Sequence, residues 1–201
     1  MFKITSPRRK VLVQTLILGV WLALIISAYG YLVLYAATPG QDADPPRLWP
    51  RDTTMVLAQN QPTMIVFLHP KCVCSRATVA EMSRIMTKGK DKVKVYVLML
   101  LPDGLEADWA RSDLWQQARD IPSVTALIDR DGHESNRFNC QTSGHILVYK
   151  PNGKLVFSGG ITASRGHEGE NNGRSAVEAL ILNKTPDTES NPVFGCPLHE
   201  R

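Results

Sequence analysis

The chain has 201 residues, 43% of them hydrophobic and 21% charged. That is enough for one domain of about 150 residues with its own core, plus an appendage. Its formal charge of +4 equals the four basic residues Lys3, Arg8, Arg9 and Lys10, and the remaining 19 basic residues balance 19 acidic ones, so nothing in the charge points to a nucleic-acid partner and none is expected.

Those four residues form a short basic tail, residues 1–10, ahead of a run from Val11 to Pro39 that carries no charge. The run includes Leu16-Ile17-Leu18, Trp21 to Ile26 and Leu32-Val33-Leu34, and it exceeds the roughly 20 residues that cross a bilayer. A cleaved signal peptide has an apolar stretch of only about 7 to 15 residues, so residues 11–39 are expected to be a permanent transmembrane helix. Basic residues before the span and Asp42 and Asp44 after it put the N-terminus in the cytoplasm and the rest outside. The expected setting is the inner membrane, crossed once, with a periplasmic C-terminal domain. Residues 40–52, with Pro45-Pro46, read as a linker holding that domain off the membrane.

The domain is expected over residues 53–184. Its first strand, Met64-Ile65-Val66-Phe67-Leu68, breaks at His69-Pro70, and Lys71-Cys72-Val73-Cys74-Ser75 follows. Apolar or small residues at Ala77, Val79, Ala80, Met82, Ile85 and Met86 then keep near a helical period, with Thr78-Val79-Ala80-Glu81 as the expected capping box. Two thiols thus stand just ahead of a helix N-terminus, where orphan amides and the helix dipole favour a thiolate. A disulfide closed over a single residue is strained, and strained disulfides are the more readily reduced ones.

Val93 to Leu101 is the strongest strand and reads as central, reached through a right-handed parallel crossover. A second helix is expected over Leu105 to Arg119, then a short strand from Ser123 to Ile128. His133 to Asn139 fits a short helix or a hairpin strand equally. Ile146 to Tyr149 and Lys154 to Phe157 form a hairpin around Lys150-Pro151-Asn152-Gly153. A glycine-rich loop, Gly159 to Gly173, leads to a last helix, Arg174 to Leu182, and residues 185–201 read as a tail that is polar until Val193-Phe194-Gly195-Cys196-Pro197-Leu198.

In this order the elements resemble the thioredoxin-like fold, an α/β three-layer sandwich, here preceded by one transmembrane helix. Within that fold the chain resembles the membrane-anchored periplasmic thiol proteins of the TlpA type. The motifs His-Pro-x-Cys-x-Cys-Ser at His69 to Ser75 and Thr-Ser-Gly-His at Thr142 to His145 are also similar to the RedB-like group. The resemblance implies a thiol-disulfide oxidoreductase with catalytic Cys72 and Cys74, no cofactor, protein thiol or disulfide clients and an electron donor of its own. It implies an exposed Cys72 that attacks and a Cys74 shielded by the helix start that resolves. Two features depart from the family: one residue instead of two separates the cysteines, and Gly144 stands where a cis-proline is usual.

Further candidates follow from position. The hairpin returns toward the thiol edge, so Arg165, His167, Glu168 and Glu170 of the glycine-rich loop come within reach of Cys72, and Arg165 or His167 could stabilise a thiolate. His69 could serve as acid or base. Cys140 matches a core position, and Cys196 could fold back as a resolving or structural thiol. Four cysteines allow three pairings, which the sequence leaves open. Two other functions stand beside the redox one: a Cu(I)-delivery module using Cys72 and Cys74 with His69, His145 or His167, since soft thiolates suit Cu(I), and an inert interaction domain on the same fold.

Overall fold

The computed structural model describes residues 7–199. Lys3 and the other residues of the basic tail up to position 6, and residues 200 and 201, lie outside the described residues. The chain forms two units, residues 1–37 and 38–201. The first is a single helix, α1 (Pro7–Ala37), whose segment from Arg8 to Ala37 has a mean hydropathy of 2.4 over its most apolar window. With apolar side chains all round, it is long enough to cross a bilayer.

The second unit is built on six strands: β1 (Thr63–Leu68), β2 (Lys94–Leu101), β3 (Val124–Arg130), β4 (His145–Tyr149), β5 (Leu155–Gly159) and β6 (Ser190–Asn191), in the order β3-β2-β1-β4-β5-β6. β1, β2 and β3 run parallel, β4 is antiparallel to β1 and β5, and β6 is parallel to β5. Every residue of β1 and β4 is buried, as the unbroken apolar runs of central strands require.

Alternation along the strands sends Met64, Val66, Leu68, Ile146 and Val148 to one face, and Ile65, Phe67, Leu147 and Tyr149 to the other. The first face is covered by α2 (Val73–Gly89) and α6 (Asn172–Ile181), with α3 (Ala107–Ala110) and α4 (Asp113–Arg119) contributing Ala110, Leu114 and Ala118. On the second face lie Phe138, just after α5 (His133–Arg137), and an edge-to-face aromatic cluster in which Trp49 meets Phe138 at 5.7 Å and Tyr149 at 5.2 Å. The fold is therefore the expected α/β thioredoxin-like sandwich with a long apolar helix ahead of it.

Four local expectations are corrected. Helix α2 starts at Val73, not after Thr78, because Cys72 is already its N-cap and Glu81 is buried in mid-helix on ion pairs rather than turned back to a cap. The second helix is broken at Arg111-Ser112 into α3 and α4. Residues read as a linker lie along the domain: Gly40 N–H donates to Val193 O, Trp49 N–H to Gly153 O, Leu155 N–H to Arg47 O and Tyr149 Oη–H to Pro46 O. The polar tail is likewise part of the fold. It supplies β6 and the buried side chains of Val193, Phe194 and Leu198.

Candidate active site

Cys72 is the N-cap of α2, with extended angles (φ −101°, ψ 125°), so the chain is straight up to its sulfur and helical directly after it. Pro70 disfavours helical angles at His69 and delays the helix to this point. The turn is locked by hydrogen bonds from Cys72 N–H to His69 O, from Ser75 N–H to Cys72 O and from His69 N–H to Ser75 Oγ, each 3.1 Å long. Cys74 consequently falls in the first helical turn. Both cysteines are buried, at 3% and 2% exposure, whereas Val73 between them is 68% exposed. The expected solvent-facing Cys72 is not found, because other segments cover it.

One cover is the loop ahead of β4. Gly144 N–H donates to Phe67 O at 2.7 Å, and Gly144 has φ +87°; a Cβ there would lie 2.9 Å from Thr78 Oγ1 on α2. Only glycine fits that combination of angle and closeness. The loop thereby brings the Ser143 hydroxyl to 3.5 Å from Cys72 Sγ, to which it donates.

A second cover is the C-terminal segment, which runs antiparallel to this loop. Ser143 N–H donates to Cys196 O at 2.8 Å, Cys196 N–H to Ser143 Oγ at 3.0 Å and Leu198 N–H to Gln141 O at 2.9 Å, with Thr142 and Pro197 paired between them. This puts the Cys196 thiol beside Cys72.

The three thiols shift one another's acidity, Cys72 downward and its two neighbours upward. Cys72 is held well below the usual thiol range, first by the Cys74 thiol donating to it, then, against the opposing effect of burial, by the Cys196 thiol, the Ser143 hydroxyl and the Ser75 amide. Cys74 is pushed far up, chiefly because it donates to Cys72 and is buried. Cys196 is pushed up too, by burial first and then by donation to Cys72, with the Arg165 charge opposing. The arrangement is one thiolate at a helix N-terminus with two thiol donors. A low-pKa thiolate is the form that attacks disulfides.

The glycine-rich loop arrives at this edge as expected, but its side chains do other work. The Gly166 amide acts on Cys74. Arg165 donates through Nη1 to Gly195 O at 2.5 Å and through Nε to Thr38 O at 3.1 Å, which fixes the segment carrying Cys196. His167 Nδ1 lies 2.7 Å from Arg165 O, so its ring is engaged with its own loop. Glu168 pairs with Arg84 at 2.6 Å. Glu81, fully buried, accepts from Gly169 N–H at 2.7 Å and pairs with Arg174 at 2.6 Å and with Arg84, clamping the loop to α2.

The histidines separate. His69 Nδ1 accepts from Lys71 N–H at 3.1 Å, and its ring meets Trp109 edge-on at 5.5 Å. His145 lies 2.9 Å from Ser158 Oγ, lines a 790 Å³ cleft beside β5 that no cysteine lines, and burial lowers its pKa to about 4. Among the described residues no group of three or more His, Cys, Asp or Glu side chains is placed to hold a metal, so the copper set of Cys72, Cys74 and His69 does not converge. Cys140 is fully buried, its pKa raised by that burial.

The structure thus gathers Cys72, Cys74, Cys196 and Gly144, and sets Arg165 behind Cys196. The role of Ser143 escaped the sequence reading, in which Glu81 is part of a capping box. Ser143 sits in the quoted Thr-Ser-Gly-His motif, but a serine gives no sign of its partner. A lone acidic residue amid the apolar positions of a helix was the available signal for Glu81.

No family model matches the chain, and no curated protein matches it significantly. Solved structures do resemble it. An uncharacterised conserved protein from Geobacillus kaustophilus aligns at 16% identity with a TM-score of 0.56, over 82% of this chain and 93% of the other. A hypothetical protein from Sinorhizobium meliloti aligns at 14% identity with the same TM-score, over 80% and 93%. These similarities concern the fold.

Proposed function

We propose that the chain is a membrane-tethered thiol-disulfide oxidoreductase of the extracytoplasmic kind, related to the TlpA-type and RedB-like proteins, with its domain on the periplasmic side. One observation carries this reading: Cys72, at the N-terminus of α2, is the stabilised thiolate, with the Cys74 thiol as its foremost donor. Cys72 attacks a client disulfide and forms a mixed disulfide, and a neighbouring thiol resolves it, Cys74 being the nearest in sequence. Protein dithiols or disulfides are the clients. A separate membrane or soluble dithiol protein restores the starting state.

The test is thiol exchange by the purified full chain in detergent, equilibrated in graded dithiothreitol buffers and read by mass after acid quenching. Loss of two thiols in a single two-electron step, abolished by Cys72→Ser, is expected. A chain in which Cys72 stays reduced in buffers that fully oxidise a small reference dithiol is not an oxidoreductase. Orientation is tested on intact cells with a membrane-impermeant maleimide, which should label Cys196 without lysis. Labelling only after the membrane is broken would reverse the proposed topology.

A further inference from the structure

We propose that Cys196 is a third redox thiol, which resolves mixed disulfides at Cys72, and that the segment Gly195–Leu198 carrying it is a movable cap over the reactive sulfur. This rests on the proposal that Cys72 is the attacking thiol.

Cys72 is only 3% exposed, and the covering chain includes the segment paired to Gln141–Ser143. A protein disulfide cannot reach the sulfur while this segment is in place. Its attachments include a few backbone hydrogen bonds, the Cys196 N–H bond to Ser143 Oγ, the Arg165 contact to Gly195 O and the buried Leu198. Such short, edge-on pairing opens more readily than a core strand. The segment that must leave to admit a client is therefore the one that carries a thiol back when it returns.

Cys74 is the less suited partner geometrically. It is fixed in the first turn of α2, one residue from Cys72, where a disulfide closes a strained ring. Cys196 lies on a separate chain segment, so a bond to Cys72 carries no such ring. Cys196 is half-buried, whereas Cys72 and Cys74 are buried. Ser143 joins both partners: its hydroxyl donates to Cys72 Sγ and accepts from Cys196 N–H.

The steps balance. Cys72 thiolate attacks one sulfur of the client disulfide, forming a Cys72–client bond, and the electron pair of the broken client bond leaves on the other client sulfur. Cys196 passes its proton to that thiolate and attacks Cys72 Sγ. The Cys72–Cys196 bond forms, the Cys72–client bond breaks, and the second client sulfur leaves as a thiolate that takes a proton from solvent. The client gains two electrons and two protons: both electrons and one proton come from the Cys72 thiolate and the Cys196 thiol, and the second proton comes from solvent. Cys74 remains a thiol and donor throughout.

The experiment uses the reduced full chain in detergent, equilibrated with a reduced and oxidised glutathione buffer, quenched in acid, digested and analysed for linked peptides by mass spectrometry. Expected are a Cys72–Cys196 linkage in the parent and in Cys74→Ser. The glutathione adduct on Cys72 should be at least tenfold more abundant in the Cys74→Ser/Cys196→Ser double variant than in Cys74→Ser. Cys74→Ala in place of Cys74→Ser guards against an effect of the new hydroxyl. If Cys74→Ser accumulates as much adduct as the double variant while the parent links Cys72 to Cys74, Cys196 is no resolving thiol and the two-cysteine reading stands alone. If Cys72 takes neither glutathione nor a linkage in any variant, both readings fall.

Discussion

The Ser143 hydroxyl donates to Cys72 Sγ across 3.5 Å, although the two residues lie 71 positions apart in the chain. Gly144 makes the approach feasible, since any side chain at that position would meet Thr78 and hold the loop away from α2.

Ser143→Ala should therefore raise the Cys72 pKa by roughly one unit, as expected for losing one hydrogen bond to a charged group. Cys74→Ala should raise it further, because the Cys74 thiol is the foremost cause of the depression. The thiolate absorbance and the rate of iodoacetamide alkylation, followed against pH on the reduced chain, report both. A depressed pKa keeps the parent's thiolate, and so its alkylation rate, nearly constant from neutral pH down into the acidic range. In the variants the fall should begin at higher pH. Superimposed profiles would show that neither residue sets the charge on Cys72.

Glu81 should matter far more than its exposed partners. It is fully buried, with Arg174 at 16% side-chain exposure, so Glu81→Gln leaves a poorly solvated guanidinium with only the more distant Glu178 carboxylate, at 3.7 Å, to balance it. The cost should be about 3 kcal/mol in urea unfolding of the full chain in detergent. Arg84→Ala, removing a half-exposed partner, should cost less than about 1 kcal/mol. Equal losses from the two variants would contradict the clamp.

The outline of this fold was legible from local signals. The apolar runs of β1, β2 and β4, the Asn152-Gly153 hairpin and the cysteine turn each report themselves within a few residues. What stayed hidden depends on contacts distant in sequence. The apolar residues from Val193 to Leu198 stand out in the sequence, but they keep no period, and the pairing of residues 190–198 with β5 and with Gln141–Ser143 has no trace in the segment itself. The same holds for residues 40–50, whose Pro45-Pro46 suggests a free linker although Trp49 lies in an aromatic cluster. The Thr78–Glu81 pattern misled for a related reason: in mid-helix the Thr78 hydroxyl donates back to Cys74 O and the Glu81 carboxylate pairs with the distant Arg174, so the spacing of a capping box occurs without a cap.

Gly195→Ala should loosen the cap selectively. A Cβ at Gly195 would lie only 1.9 Å from Ser143 O, so the segment has to move away from the loop it pairs with. Alkylation of reduced Cys72 should quicken severalfold, while Cys140, fully buried elsewhere, should remain unreactive and report that the domain is folded. In the glutathione experiment the same variant should retain more Cys72 adduct, because Cys196 returns less often. Unchanged alkylation of Cys72 would mean that the segment does not limit access.

His145 provides a prediction independent of the thiols. Burial lowers its pKa to about 4, from an unfolded value near 6.5, and among the described residues Nδ1 has no partner while Nε2 lies against Ser158. Between those pH values the unfolded chain binds a proton that the folded one refuses, so stability falls as pH falls through this window. From pH 7 to pH 4.5 the loss should be about 2 kcal/mol, at 1.36 kcal/mol per unit of separation. His145→Gln keeps a group able to bond Ser158 but does not titrate, and should flatten that part of the profile. Both chains are best compared in a Cys72→Ser background, where the reactive thiol no longer contributes to the pH dependence. Urea midpoints that fall in parallel for the two chains would place the acid sensitivity in groups other than His145.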